Sequence, residues 1–290
     1  MTGPPSDGNG DDTHGPGEYG RDLFEPEDPR EADRIDYGAL AYDPVTRDRL
    51  LALGVGPGWR CLDVGAGTGT VARWLLEEAG VDEVVAVDQD VSRLAPLAGP
   101  RLRVLAADIR DAHLDPGRFD LVHARFVLMH LPERRPLISR LAGWLAPGGR
   151  LVLSDAVEVP DRLDASSPYR LTMDTMWRVL KERIGTDIVP VPAYPHFLRE
   201  EGLRDVAAEL FCPPLTPGEP VTRFWSETWR RMRPALEETG RVAPTTIDEA
   251  LAYLGSPRLA ELAPGMMTAW GSRASAAPRP GADAPTSHSP

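Results

Sequence analysis

Apolar residues fall into short runs along this chain, separated by stretches of mixed polarity. The runs sit near 59–64, 83–88, 101–106, 119–124 and 149–155, and each has the length of one strand. Between them, residues 69–80, 91–98 and 133–146 carry the amphipathic spacing of helices. Short apolar runs alternating with amphipathic helices predict an α/β fold built on a parallel, doubly wound sheet. Ahead of it, Tyr37, Leu40, Ala41, Leu50 and Leu51 predict a helical cover over 36–53, divided at Pro44. Beyond it, Leu171, Met173, Met176, Trp177, Leu180 and Ile184 share roughly one side of a helix from Pro168 to Ile184. Further helices are expected within 213–262, including Phe224 to Leu236.

The turn after the first run sharpens the picture. Cys61-Leu62-Asp63-Val64-Gly65-Ala66-Gly67-Thr68-Gly69 joins strand to helix through glycine at every second position. Glycine accepts positive φ and lets a ligand approach the backbone. The next run, Val84-Val85-Ala86-Val87, closes on Asp88, an acid placed to accept ribose hydroxyls. The dinucleotide fingerprint needs a third glycine three residues after the second, where this chain has Thr70.

With Asp63 two residues before the first glycine, the pattern resembles motif I of the class I S-adenosylmethionine (SAM) dependent methyltransferases. Later segments carry the resemblance on. They are Leu102–Ala107 ending in Asp108-Ile109, Phe119–Arg125 followed by Val127–Leu131, and Leu145-Ala146-Pro147-Gly148-Gly149 before another strand. The Pro-Gly-Gly turn is expected to stop a helix and supply a positive φ before the strand. The resemblance implies a Rossmann-like seven-stranded sheet whose last strand is antiparallel, with Val206–Phe211 and Met266–Trp270 as strands six and seven. It also implies where SAM sits. Gly65 and Gly67 approach the methionine part, Asp63 supports the turn or the ammonium, and Asp88 with Gln89 beside it takes the ribose. Asp108 and Ile109 take the adenine, and Ala124 offers its backbone to the methionine end. Arg47, in Tyr42-Asp43-Pro44-Val45-Thr46-Arg47, is either the partner of the SAM carboxylate or a surface arginine. Tyr42 either closes over the sulfonium or packs in the core.

Composition bounds the rest. The chain has 290 residues and a formal charge of −12, enough length for one large domain with inserts. Residues 1–36 hold eleven acids against three arginines, and 274–290 are mostly Ala, Pro, Ser and Gly. Neither end has the apolar content to offset its ordering entropy, so 1–35 and 274–290 are expected to be disordered tails around a domain at 36–273. The acidic balance leaves no basic stripe for nucleic acid. No stretch is apolar enough for a membrane span or a signal peptide. Two distant cysteines, Cys61 and Cys212, suit a reduced cytoplasmic protein, and homodimerisation is left open. No CxxC or HExxH spacing marks a metal site. The bias toward Arg, Ala, Pro and Gly, with Lys181 the sole lysine, is of the actinomycete kind.

Inserts at 156–200 and 213–262 follow the later strands, so they are expected to roof the crevice where ligands bind. Their Met, Trp and Phe residues, Trp177 among them, imply an apolar acceptor pocket or plain packing onto the sheet. An acceptor phenol, amine or acidic carbon benefits from a general base. His130 and His196 are the candidates, the first also able to cap the turn before Pro132, the second to face solvent. A nicotinamide dehydrogenase of the short-chain type is disfavoured by the glycine spacing and by Trp177 in place of the tyrosine paired with Lys181. The reading is methyl transfer from SAM to O, N or C of a small apolar or aromatic molecule, as in secondary metabolism. A cyclase or pericyclase on the same scaffold is the alternative.

Overall fold

The computed structural model describes residues 23–24, 29–159 and 166–275. Five strands come first: β1 (Arg60–Val64), β2 (Glu83–Asp88), β3 (Leu102–Ala106), β4 (Phe119–Arg125) and β5 (Leu145–Val157). With β6 (Arg204–Phe211) and β7 (Gly265–Ser272) they form one sheet in the order β3-β2-β1-β4-β5-β7-β6. The first five pair in parallel, and β7 runs antiparallel between β5 and β6. Strand order reverses at β1 and β4, so a crevice opens beyond their carboxyl ends.

The central strands are apolar throughout because both faces are covered. Leu62, Val64, Val85, Val87, Val122 and Leu153 pack on one side with Leu137, Ile138 and Leu141 of α3 (Arg134–Gly143). Cys61, Val84, Ala86 and Leu121 pack on the other, with Val71, Trp74 and Leu75 of α2 (Thr70–Glu77) and with Leu50. A second core joins α4 (Pro168–Ile184), α6 (Pro220–Glu238) and α7 (Pro244–Leu254) through Met173, Met176, Leu180, Trp229, Met232, Leu236 and Ile247. A short α5 (Tyr194–Glu200) precedes β6.

Four expectations are corrected. The cover helix α1 (Pro29–Ala52) starts earlier than 36 and runs unbroken through Pro44. Proline inside a helix costs about 3 kcal/mol, and here burial of Tyr42, Thr46 and Leu50 on one face holds the helix together. Residues 29–35 therefore belong to the domain, with Glu31 and Arg34 buried. Apart from 23–24, 29–35 and 274–275, the two expected tails lie outside the described residues. At 91–98 only a 3-10 turn forms, Ala95–Leu97, because Pro96 has no N–H to continue an α-helix. Leu171 is exposed, and Tyr169, Thr172 and Val179 complete the buried face of α4 instead.

The fourth correction concerns Pro147-Gly148-Gly149. The helix before it already ends at Gly143, and the turn lies inside β5 as a bulge, between the Phe119–Leu145 and Leu121–Arg150 pairs. A Cβ on Gly149 would meet Phe119 O at 2.7 Å and Ala146 O at 3.0 Å, both backbone atoms that cannot turn aside. Gly149→Ala is expected to destabilise the fold by about 1–3 kcal/mol, the cost of overpacking, read from the midpoint of urea unfolding.

Candidate active site

The crevice is a cavity of about 810 Å³ bordered by the ends of β1, β2 and β4 and roofed by α1, α4 and α6. Its floor is the glycine turn. Gly65 and Ala66 donate their N–H groups to Val87 O at 2.8 and 3.2 Å, which folds the turn over β2. Gly65 has φ 64°, and a side chain there would meet Val127 Cγ2 at 2.2 Å. Gly67 has φ 55°, and a side chain there would meet nothing within 4 Å. That open space is where a ligand can lie against backbone.

Asp88 and Asp108 stand along the same rim. Asp88 accepts from the Gly67 N–H at 2.8 Å and the Asp90 N–H at 3.2 Å. Burial raises its pKa above the usual carboxylate value, against the pull of those N–H groups. Burial alone would raise Asp108 too, but the Arg110 guanidinium, 2.7 Å away, and the Arg110 N–H outweigh it and hold the carboxyl low. Gln89 and Ile109 also border the cavity. Asp63 is spoken for: its Oδ1 accepts from His123 Nδ1 at 2.7 Å, and both side chains are buried at the cavity wall.

Two expected cofactor contacts are not on the cavity. Arg47 faces α2, 3.5 Å from Asp43, 3.6 Å from Glu78 and 5.8 Å from the centre of the Trp74 ring. Arg125, at the end of β4, borders the cavity instead, donating to Asp43 at 2.6 Å and Thr46 at 2.9 Å. Ala124, expected to contact the cofactor through its backbone, does not border the cavity, and its side chain lies in the core between Val64 and Leu153 on the opposite face of the sheet. Strand alternation puts His123 and Arg125 on the cavity side.

The far end of the cavity is aromatic. Phe126, Tyr42, Phe224, Trp225 and Trp177 form a chain of rings with successive centroids 5.0, 6.1, 5.0 and 5.9 Å apart. All five border the cavity. Burial drives the Tyr42 phenol well above its ordinary pKa, so it is a neutral wall. The Trp177 indole N–H is buried and meets no acceptor among the described residues. Phe126 has φ 55°, rare for a bulky residue and typical of a functional turn held by its surroundings.

The two candidate bases separate. His130 borders the cavity, its Nδ1 2.8 Å from Thr186 Oγ1. Burial first, then the nearby Arg34 and Arg134, lower its pKa to about 3, so the ring is neutral at working pH. His196 lies outside: its side chain is 69 % exposed and 3.3 Å from Glu200, because α5 turns Tyr194 and Leu198 inward.

Asp155 escaped the sequence reading, although an acid inside an apolar strand was a signal. It is buried and accepts from Tyr194 Oη at 2.6 Å and from the Val127 and Met129 N–H groups at 3.0 and 3.1 Å. It therefore pins the turn that carries Phe126 and His130. Among the described residues no group of three or more His, Cys, Asp or Glu gathers as a metal site, and no helix is long and apolar enough to cross a membrane.

Sheet order, glycine turn and rim acids are those of the class I methyltransferases. Comparison with known proteins agrees: residues 62–153 match the family model described as a methyltransferase domain. Methyltransferase pytC of Aspergillus terreus is 29% identical over 195 residues, 66% of this chain and 60% of that protein. Phosphoethanolamine N-methyltransferase 1 of Arabidopsis thaliana is 29% identical over 173 residues, 57% of this chain and 33% of that protein. The chain thus spans less than two thirds of the length of the first relative and about one third of the second. Among solved structures, the [4+2]-cyclase SpnF shares the fold at a TM-score of 0.54, with 17% identity over 81% of this chain and 82% of that one. Phosphoethanolamine N-methyltransferase 2 of Haemonchus contortus, solved with S-adenosylhomocysteine, has a TM-score of 0.50, with 18% identity over 78% of this chain and 52% of that one. Residues 62–153 are thus a methyltransferase domain, and the chain as a whole is similar to the class I methyltransferases, whose cofactor is SAM.

Burial raises Asp155 from 3.8 to about 7. Between those values the native state holds a proton that the unfolded chain has released, so this group's contribution to stability falls as pH rises from about 4 to about 7, while the lowered His130 contributes a rise up to about 6.5. Urea unfolding of the two proteins side by side should show the stability of the unmodified chain relative to Asp155→Asn falling across that range. An equal slope in the variant would assign the titration elsewhere.

Proposed function

We propose that this protein transfers a methyl group from SAM to O, N or C of a small, largely apolar or aromatic molecule, as in secondary metabolism. One observation carries the reading: a single cavity joins the rim of Gly67, Asp88 and Asp108 to a chamber walled by five aromatic rings. SAM supplies a methyl group already activated on a sulfonium. The chain's own residues have to orient the acceptor and exclude water.

Asp88 is placed to accept from the ribose hydroxyls, while Asp108 and Ile109 border the place for adenine. Phe126, Tyr42 and Phe224 shield the junction between cofactor rim and chamber. The Trp177 N–H, with no acceptor of its own, suits an oxygen on the bound molecule. His130, with a pKa of about 3, is too weak a base to take a proton from an unactivated alcohol. It orients an acceptor that ionises readily or carries a free lone pair. The acidic chain as a whole supports a small molecule over nucleic acid, and free Cys61 and Cys212 support a reducing, cytoplasmic setting.

Among the described residues the aromatic chamber offers no strong base, which also suits a template for cyclisation, the second reading. The two differ in their product, which gains one methyl group only in transfer.

Calorimetric titration of the full chain with SAM, S-adenosylhomocysteine and NAD tests the cofactor reading. Binding of the two sulfur ligands, none of NAD, and at least about a tenfold loss in Asp88→Ala are expected. An unchanged dissociation constant in the variant would overturn the placement. Trp177→Phe should leave S-adenosylhomocysteine affinity within about twofold while lowering methyl transfer across a panel of phenolic and amino-aromatic acceptors about tenfold. Unaltered transfer would remove Trp177 from the acceptor site.

A further inference from the structure

The Asp63–His123 pair is unexplained by packing. His123 is 1% exposed in the middle of a parallel sheet, where an apolar residue would cost less. Its Nδ1 faces the Asp63 carboxylate, which can only accept, so that nitrogen carries the proton. In the neutral ring Nε2 then bears a lone pair, and no described residue meets it. A buried lone pair without a donor is costly to maintain. Both residues border the cavity beside Gly65. The wall here is an acceptor backed by a full negative charge, which suits an ammonium.

Arg125 stands two residues further along β4, on the same face. Asp43 and Thr46 take one N–H each from its two terminal nitrogens. A guanidinium has five N–H groups, and this one borders the cavity. A cation and an anion-backed acceptor thus lie side by side, about two residues of strand apart. That is roughly 6–7 Å, allowing ammonium and carboxylate of one α-amino acid to meet one each through flexible side chains.

The geometry points to a zwitterion clamp: His123 Nε2, backed by Asp63, receives the α-ammonium of the cofactor's methionine end, and Arg125 receives its α-carboxylate. The clamp rests on the SAM reading given above and alters it in one respect. Asp63 does not touch the cofactor; it positions His123 and fixes its tautomer. His123 and Arg125 take over the contacts that motif I and Arg47 were expected to make.

Ligands edited at one group each provide the test. Dissociation constants are measured calorimetrically for S-adenosylhomocysteine, its deaminated analogue and its decarboxylated analogue. The proteins are the full chain, His123→Asn and Arg125→Gln. Asparagine can still donate to Asp63 and has no atom where Nε2 stood. His123→Asn should weaken S-adenosylhomocysteine about tenfold or more and the deaminated analogue less than about twofold. Arg125→Gln should do the same with the decarboxylated analogue as its indifferent ligand. Because each readout is a ratio between ligands on one protein, a partly destabilised variant still answers. Equal loss for all three ligands, or no loss for any, overturns the clamp. Failure of the unmodified chain to bind S-adenosylhomocysteine refutes the cofactor reading itself, a separate result.

Discussion

Contact between Gly65 and Val127 governs the shape of the site. Residues Asp63 and His123 are direct neighbours across β1 and β4, so the two strands leave the sheet at the same level. Two turns must then diverge from almost one point. A Cβ on Gly65 would overlap Val127, so only glycine lets the first turn fold away toward β2, anchored on Val87 O. The second turn goes the other way through a left-handed Phe126, fastened by its N–H to Ser154 O and by the Val127 and Met129 N–H groups to Asp155. Divergence of the two turns is what opens the crevice, and the buried carboxyl holds it open from below. Mispairing of these strands by one residue would exchange His123 with Ala124 and put the core face toward the ligand.

The strands were legible because burial on both faces makes β1, β2 and β4 apolar throughout, and the glycine spacing fixed the turn between β1 and α2. Where the reading failed, a tertiary contact overrode a local signal. Residues 29–35 look like an acidic tail, yet Glu31 is buried against Arg34 and Arg231, and no local pattern distinguishes a paired acid from a solvated one. Pro44 reads as a break, but it is exposed on a helix whose other face is buried. Pro96 sits among residues with helical spacing and limits them to one short turn.

The site residues follow the same division. Asp88 and Asp108 were readable because each closes a strand. The position of Arg47 was not, since it depends on which side of α1 meets the sheet: Arg47 lies toward α2, and Arg125 borders the cavity. His123 and Asp155 were visible as polar residues inside apolar strands, and the burial rule says such residues need partners. The partners, Asp63 for one and Tyr194 for the other, come from distant strands or helices and cannot be named from spacing.

Three acids of the crevice each have a side-chain partner: Asp63 has His123, Asp43 has Arg125 and Asp108 has Arg110. What remains on the acceptor side is aromatic surface, a neutral histidine and the buried indole N–H groups of Trp177 and Trp225. Such a wall does little chemistry of its own, which fits a reaction whose electrophile arrives activated and needs mainly alignment in a dry space. Helix α1 connects the two ends of that space. Asp43 and Thr46 hold Arg125 at the cofactor end, while Tyr42, one turn earlier on the same helix face, edges against Phe126 and Phe224 at the acceptor end. A ligand that draws on Arg125 therefore acts on the helix that walls the acceptor chamber, and the two halves of the cavity share one wall.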